Sequence, residues 1–218
     1  MHSLCPHYEA ILFDFDGVLV DSEPVHFACW REVLLPFGID LDWETYRQRC
    51  IGIADRAMLE TLCALAKPPL DIDRLWAQYP RKKARFRERM MQRETSRPEL
   101  CELLQSLETY RMAVVTSSGR SEVEPLLKAA GIRRYFDAVV CGEDVERRKP
   151  APDPYRKAAQ LLGAVRALVV EDSAAGMESG KAAGFDVLAV ESAAEMPAAL
   201  RRYLRESAAP PFTSLEHF

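Results

Sequence analysis

Along the chain, short apolar runs of four or five residues alternate with longer segments whose apolar positions recur every three or four residues. A short apolar run ended by polar residues and glycine marks a strand buried on both faces of a parallel sheet. Such runs predict strands at 10–14, 112–116, 138–141, 167–170 and 187–190, and the segments between them read as helices. Leu100, Leu103, Leu104 and Leu107 fall at i, i+3, i+4 and i+7 and make one amphipathic face. Ser121 with Glu124 has capping-box spacing, and Asp153 before Pro154 sets a capping carboxylate ahead of a first-turn proline. Gly131, Gly163 and Gly184 follow alanine-rich or leucine-rich runs, where left-handed backbone closes a helix. The alternation specifies an α/β fold: a doubly wound, Rossmann-like parallel sheet with crossover helices.

The alternation breaks once. From Glu23 to Glu94 no strand run occurs, and helical periods replace it at Phe27, Trp30, Leu34 and Phe37 and again at Leu59, Leu62, Cys63 and Ala66. This predicts a helical cap subdomain, 23–94, inserted between a first core segment, 1–22, and the remaining core, 95–218. An insertion directly after strand one stands over the carboxyl ends of the strands, where open α/β sheets bind ligands. Residues 81–93 carry seven basic side chains and one acid. The plain reading is a solvated helix face, and the alternative is steering of anionic substrates. Residues 207–218 show no periodicity and receive no function.

Composition narrows the partners. With 48% hydrophobic and 28% charged residues the chain is globular, and its formal charge of −4 argues against nucleic acid or an anionic membrane as the main partner. No run approaches the roughly 20 apolar residues that span a bilayer. Cys5, Cys29, Cys50, Cys63, Cys101 and Cys141 include no pair at zinc or redox spacing, and no apolar leader is read before them. Reduced, packed thiols in a cytoplasmic monomer are therefore expected, with a small molecule as partner.

The candidate chemistry lies at strand ends. Asp14 and Asp16 close strand one, and alternation aims both carboxyls the same way, so their mutual repulsion calls for a cation or a raised pKa. Gly17 lets the backbone turn and leaves room for a ligand. Thr116, Ser117, Ser118 and Gly119 end the second strand in hydroxyls and turn amides, the makings of a phosphate cradle. Lys149 opens a loop, and Glu171, Asp172 and Ser173 end the fourth strand. Each has a plain alternative as a strand-end or capping residue.

Together, Asp-Phe-Asp-Gly-Val at 14–18, Thr116 after Ala-Val-Val, Lys149 in Arg-Lys-Pro-Ala-Pro-Asp and Glu-Asp-Ser-Ala-Ala-Gly at 171–176 resemble the four motifs of the haloacid dehalogenase-like superfamily, in order and spacing. The nearest likeness is to its β-phosphoglucomutase and sugar-phosphate phosphatase branch. That resemblance implies a small phosphate ester as substrate, Asp14 as nucleophile forming an aspartyl-phosphate, and Asp16 as general acid and base. It implies Mg²⁺ held by Asp14, the backbone oxygen of Asp16 and Asp172, with Glu171 ligating or supporting it. Lys149 would neutralise phosphate charge, and Thr116 with the amides near Ser117 would bind the transferring oxygens. A dehalogenase has no use for the second acid, so Asp16 points to phosphorus.

His26, in Asp-Ser-Glu-Pro-Val-His-Phe, matches a cap histidine of the mutases. The cap loop Ile51-Gly52-Ile53-Ala54-Asp55-Arg56 departs from them: the mutases carry a lysine before the glycine and an arginine three residues after it, where this chain has Ile51 and Asp55, with Arg56 one place further. The expected function is a Mg²⁺-dependent phosphatase of a monophosphorylated metabolite. The alternatives are a β-phosphoglucomutase-like isomerase and a non-catalytic binding module.

Overall fold

Ala10–Phe13 is buried along its whole length, and the side chains of alternate residues feed two different layers. This strand, β1, lies at the middle of a five-stranded sheet in the computed structural model, which describes residues 8–51, 53, 55–66, 68–92 and 97–208. β2 is Arg111–Val115, β3 Ala138–Val140, β4 Ala167–Glu171 and β5 Asp186–Ala189. The order is β3-β2-β1-β4-β5 and every pairing is parallel, with Phe13 level with Val114 on one side and Val170 on the other. All five predicted strands are present, with bounds displaced by one residue at most.

The period of two sorts the sheet's side chains. Ile11, Phe13, Met112, Val114, Leu168 and Val170 face one layer, which packs α6 (Pro98–Ser106), α7 (Arg120–Ala129) and α10 (Met196–Ala208). Ala10, Leu12, Ala113, Val115, Ala167 and Val169 face the other, against α8 (Asp153–Leu162) and Ala183 of α9 (Ala174–Ala183). Each fully buried aliphatic side chain contributes about 1.5–3 kcal/mol, so a strand buried on both faces is held by its apolar content.

Between β1 and α6 the chain is helical: α1 (Glu23–Leu34), α2 (Trp43–Arg49), α3 (Asp55–Leu65), α4 (Ile72–Trp76) and α5 (Tyr79–Gln92). Trp30, Leu34, Leu41, Met58, Leu59, Leu62 and Leu75 form a hydrophobic cluster of their own there. Cys5, Gly52, Ala54, Arg93, Glu94 and residues 209–218 lie outside the described residues. No described helix is long and apolar enough to cross a membrane.

The helix ends need two corrections. α7 starts at Arg120, with Gly119 as its cap residue, so Ser121 and Glu124 are inside the helix; the Arg120 N–H donates instead to the Glu143 carboxylate at 2.8 Å. A carboxylate distant in sequence has displaced the local capping box. α8 starts one residue early, with Asp153 as its first residue and its carboxylate turned to Arg147. Gly131, Gly163 and Gly184 all have positive φ, as their positions required.

Candidate active site

The carboxyl ends of β1, β2 and β4 meet at one place. Asp14 follows β1, its N–H donating to Val170, and β1 then turns sharply through Gly17 (φ 78°). Gly17 has a second reason to be glycine: a Cβ there would collide with the Asp172 carboxylate. Thr116 follows β2 and Asp172 follows β4, so three strand ends supply Asp14, Thr116 and Asp172 to a cavity of about 690 Å³. The cavity also takes in Asp16, Ser117, Lys149 and, from the helical segment, His26, Asp55, Arg56 and Lys82.

Lys149 organises the buried charge. Its Nζ donates to Asp14 Oδ1 and Glu171 Oε1, both at 2.5 Å, and to the Val115 carbonyl at 3.0 Å. Burial works against its ammonium, but Asp14 and Glu171 outweigh burial and raise its pKa. Asp14 remains well above the usual carboxylate range, through burial first and the Glu171 charge second, against the pull of Lys149. Asp172 is pushed up to about 7 by burial, Glu171, Glu23 and Asp16.

Glu171 is fully buried and fully occupied. Lys149 and the Tyr155 hydroxyl bind Oε1, while the Asp172 and Ser173 N–H groups and the Ser173 hydroxyl bind Oε2. A carboxylate has roughly four lone-pair positions, so this one is saturated by protein donors. Ser173 also caps α9 through the Gly176 N–H. Ser173, expected at the end of the fourth strand and as a cap, does both, whereas Tyr155 joins the site unforeseen, since nothing local in the sequence shows that it reaches Glu171.

Asp16 is held differently. Ser22 Oγ donates to one oxygen at 2.6 Å, Ser118 Oγ to the other at 2.8 Å, and His26 Nε2 stands 3.7 Å away. Burial raises this carboxyl, but His26, Ser22 and Ser118 overcome burial and bring it down to about 2. His26 lies flat on Phe86, ring centroids 3.9 Å apart, with Nδ1 2.9 Å from Lys82 Nζ. An ammonium only donates, so Nδ1 accepts and the ring proton sits on Nε2, facing Asp16. Ser118 and His26, both expected at the substrate, are turned to Asp16, whereas Ser117 is exposed beside the cavity. Thr116 is buried, its Oγ1 accepting from the Ser118 N–H.

Lys82 is the residue that the charge run concealed. It is 3% exposed, with Nζ 3.6 Å from Asp55 and 4.9 Å from the Trp30 ring centroid. Lys82, Phe86 and Met90 stand four apart and form the buried stripe of α5, so the stretch is not simply a solvated face. Arg56, expected at the substrate, borders the cavity with its guanidinium 3.2 Å from Asp73 and 3.8 Å from Glu60.

With this geometry in place, comparison with known proteins is decisive on family. The sequence profile described as haloacid dehalogenase-like hydrolase matches residues 11–190, a span that includes Asp14, Thr116, Lys149 and Asp172. The chain belongs to the haloacid dehalogenase-like hydrolases. It is similar to a fructose-1-phosphate phosphatase of Escherichia coli, 33% identical over 186 residues, covering 84% of this chain and 96% of that one. It is also similar to the crystal structure of CbbY from Rhodobacter sphaeroides in complex with phosphate, with TM-score 0.68 and 31% identity over 83% and 84% of the two chains. A β-phosphoglucomutase of Clostridium difficile, 20% identical, shares the fold at TM-score 0.74 over 92% and 96%.

The family is generally Mg²⁺-dependent, and the donor set fits such an ion. Oxygen atoms of Asp14, Glu171 and Asp172 lie within 4.8 Å of one another. Since Glu171 is saturated, Asp14 and Asp172 are the carboxylates free to ligate, with Glu171 adding charge behind them. Crowded anions whose pKa values are pushed up are what a hard divalent cation relieves.

Proposed function

We propose that the protein is a Mg²⁺-dependent phosphatase that hydrolyses a small phosphorylated metabolite, a sugar phosphate in the first instance, through an aspartyl-phosphate on Asp14. One observation carries the proposal: Asp14, paired to Lys149 at 2.5 Å, borders the cavity beside an Asp16 held by a separate set of donors. The two carboxyls have separate partners: Lys149, and a divalent cation shared with Asp172, would keep Asp14 ionised against its raised proton affinity, which leaves Asp16 to carry the proton. The likeness to a fructose-1-phosphate phosphatase supports the substrate class.

In this proposal Asp14 attacks phosphorus as the ester oxygen leaves, and Asp16 delivers a proton to that oxygen. An arriving phosphate dianion raises the proton affinity of Asp16 by like-charge repulsion. Asp16 next takes a proton from the water that cleaves the acyl phosphate. Lys149 offsets negative charge at Asp14, while Thr116 and the exposed Ser117 are placed to bind the transferring oxygens. His26 and Lys82 position Asp16, and Ser22 and Ser118 fix its two oxygens. Gly17 keeps space for Asp172. Mg²⁺ on Asp14 and Asp172 would screen the repulsion between nucleophile and phosphate. Residues 23–94 would form the cap over this site, with 1–22 and 95–218 as the core. The buried free thiols of Cys29, Cys50, Cys63 and Cys141 suit a cytoplasmic setting.

The mutase alternative needs cations that grip a second phosphate. Ile51 and Asp55 supply none, and Arg56 is turned to Asp73 and Glu60 at the exposed edge of the cavity. Phosphorus NMR with Mg²⁺ and a panel of sugar phosphates tests both readings. Inorganic phosphate should appear with the native chain and not with Asp14→Asn, whose fold is to be checked by a melting curve alongside the native protein. Turnover by folded Asp14→Asn would overturn the proposal, and conversion of a 1-phosphate into a 6-phosphate without free phosphate would make the enzyme a mutase.

A further inference from the structure

Away from Asp14, three cations that border the cavity, Arg56, Lys82 and Lys83, are each paired with a protein carboxylate. Lys83, on α5, holds its Nζ 3.2 Å from Glu122 Oε1, on the first turn of α7. Glu122 is buried, so this pair is shielded from water on its core side. The same ammonium lies over Gly119, 3.6 Å from where a Cβ would stand, and Glu143 is as near, at 3.8 Å. The N-terminus of α7, ordinarily attractive to an anion, is taken by Glu143 through the Arg120 N–H. Lys82 answers to Asp55 and His26, and Arg56 to Asp73. Arg148 is exposed, with its Nε on the Gly142 carbonyl, where water and salt screen it.

A second phosphate or a carboxylate on the substrate would therefore enter a chamber where Arg56, Lys82 and Lys83 already have carboxylate partners and Arg148 is left at the solvent-exposed side, and would face Glu122 and Glu143 across it. A hydroxyl would meet carboxylate acceptors. We infer that the Lys83–Glu122 pair, with Glu143 at the head of α7, is a charge selector that admits monophosphates with an uncharged, hydroxylated remainder and rejects esters carrying a second anion. This rests on the phosphatase reading above and adds which esters the site refuses.

The test is the ratio of kcat/KM for glucose 1,6-bisphosphate to that for glucose 1-phosphate, measured by phosphate release, with phosphoglycolate as a carboxylated ester. The native enzyme should favour the monophosphate at least tenfold. Glu122→Gln removes the counter-charge of Lys83 and should raise the ratio about tenfold, and adding Lys83→Met should cancel that rise. A pair that only tied the two helices together would change both substrates alike and leave the ratio where it was. Glu143→Gln, at an exposed position, should raise the ratio in the same direction and keeps the test decisive if Glu122→Gln does not fold. An unchanged ratio in the folded variants, or equal native turnover of mono- and bisphosphate, would overturn the selector while leaving the phosphatase reading intact. Failure to release phosphate from any ester, p-nitrophenyl phosphate included, would remove both.

Discussion

Gly176 sits in the first turn of α9, where alanine would ordinarily be the better helix former by about 1 kcal/mol. Here the expected sign reverses. A Cβ at 176 would overlap the Glu171 carboxylate, and Glu171 cannot retreat because five donors hold it. Gly176→Ala should lower stability by about 2–4 kcal/mol in urea unfolding, the range for overpacking plus a disturbed buried network. An unchanged or higher midpoint would show that Glu171 is less constrained than its contacts indicate. Lys82 gives a second test. Its ammonium selects the His26 tautomer that faces Asp16, so Lys82→Met should lower kcat roughly 10- to 100-fold, less than the roughly 10²–10⁴-fold of a whole general acid–base because only its positioning is lost, with KM changing far less. A rise in KM with kcat preserved would assign Lys82 to substrate binding instead.

At the scale of elements, α1 and α5 act as a pair, because His26 on one and Lys82 on the other meet over Phe86. Phe86 is buried, and its ring is the floor beneath the imidazole. Phe86→Ala should cost about 3–5 kcal/mol, the usual range for a buried phenylalanine, and also lower kcat by freeing His26. A calorimetric melt with steady-state kinetics reads both effects; a loss of stability with kcat intact would separate the floor from the chemistry. Elements of this kind differ in how legible they are in sequence. The strands were plain because residues such as Ile11, Leu12, Val169 and Val170 are apolar on both faces, a pattern that needs no partner to be recognised. The starts of α7 and α8 were displaced because Glu143 and Arg147 act from a distance, and a capping box is only a local pattern. Lys82 stayed hidden since six other cations surround it in 81–93, and its burial depends on which face α5 turns to α1. Asp14, Asp16, Thr116, Lys149 and Asp172 were legible as chemistry because each carries it at or near a strand end. The saturation of Glu171 was not, being made by Tyr155 and Lys149 from elsewhere in the chain.

At the scale of the whole molecule, the fold holds an unfavourable charge at its centre for the sake of a site. Asp14, Glu171 and Asp172 converge with Lys149 as the ammonium bound among them, and the raised pKa values of Asp14 and Asp172 record the strain. Folding without a divalent cation must bear that repulsion, and binding one to the folded state alone returns stability by mass action. At a Mg²⁺ concentration about 100 times the dissociation constant, the gain is about 2.7 kcal/mol. For a chain of this length that corresponds to a rise of about 5–10 °C in melting temperature. Asp172→Asn provides the complementary arm. In EDTA, with one anion of the cluster removed, it should melt at or above the native protein, while Mg²⁺ should shift it far less and turnover should be lost. Melting curves of the two proteins with EDTA and with Mg²⁺ make the comparison independent of any substrate. A native protein indifferent to Mg²⁺ at millimolar concentration would mean that Lys149 alone balances the carboxylates. An Asp172→Asn variant that melts lower in EDTA would mean that Asp172 is held by contacts worth more than the repulsion it suffers.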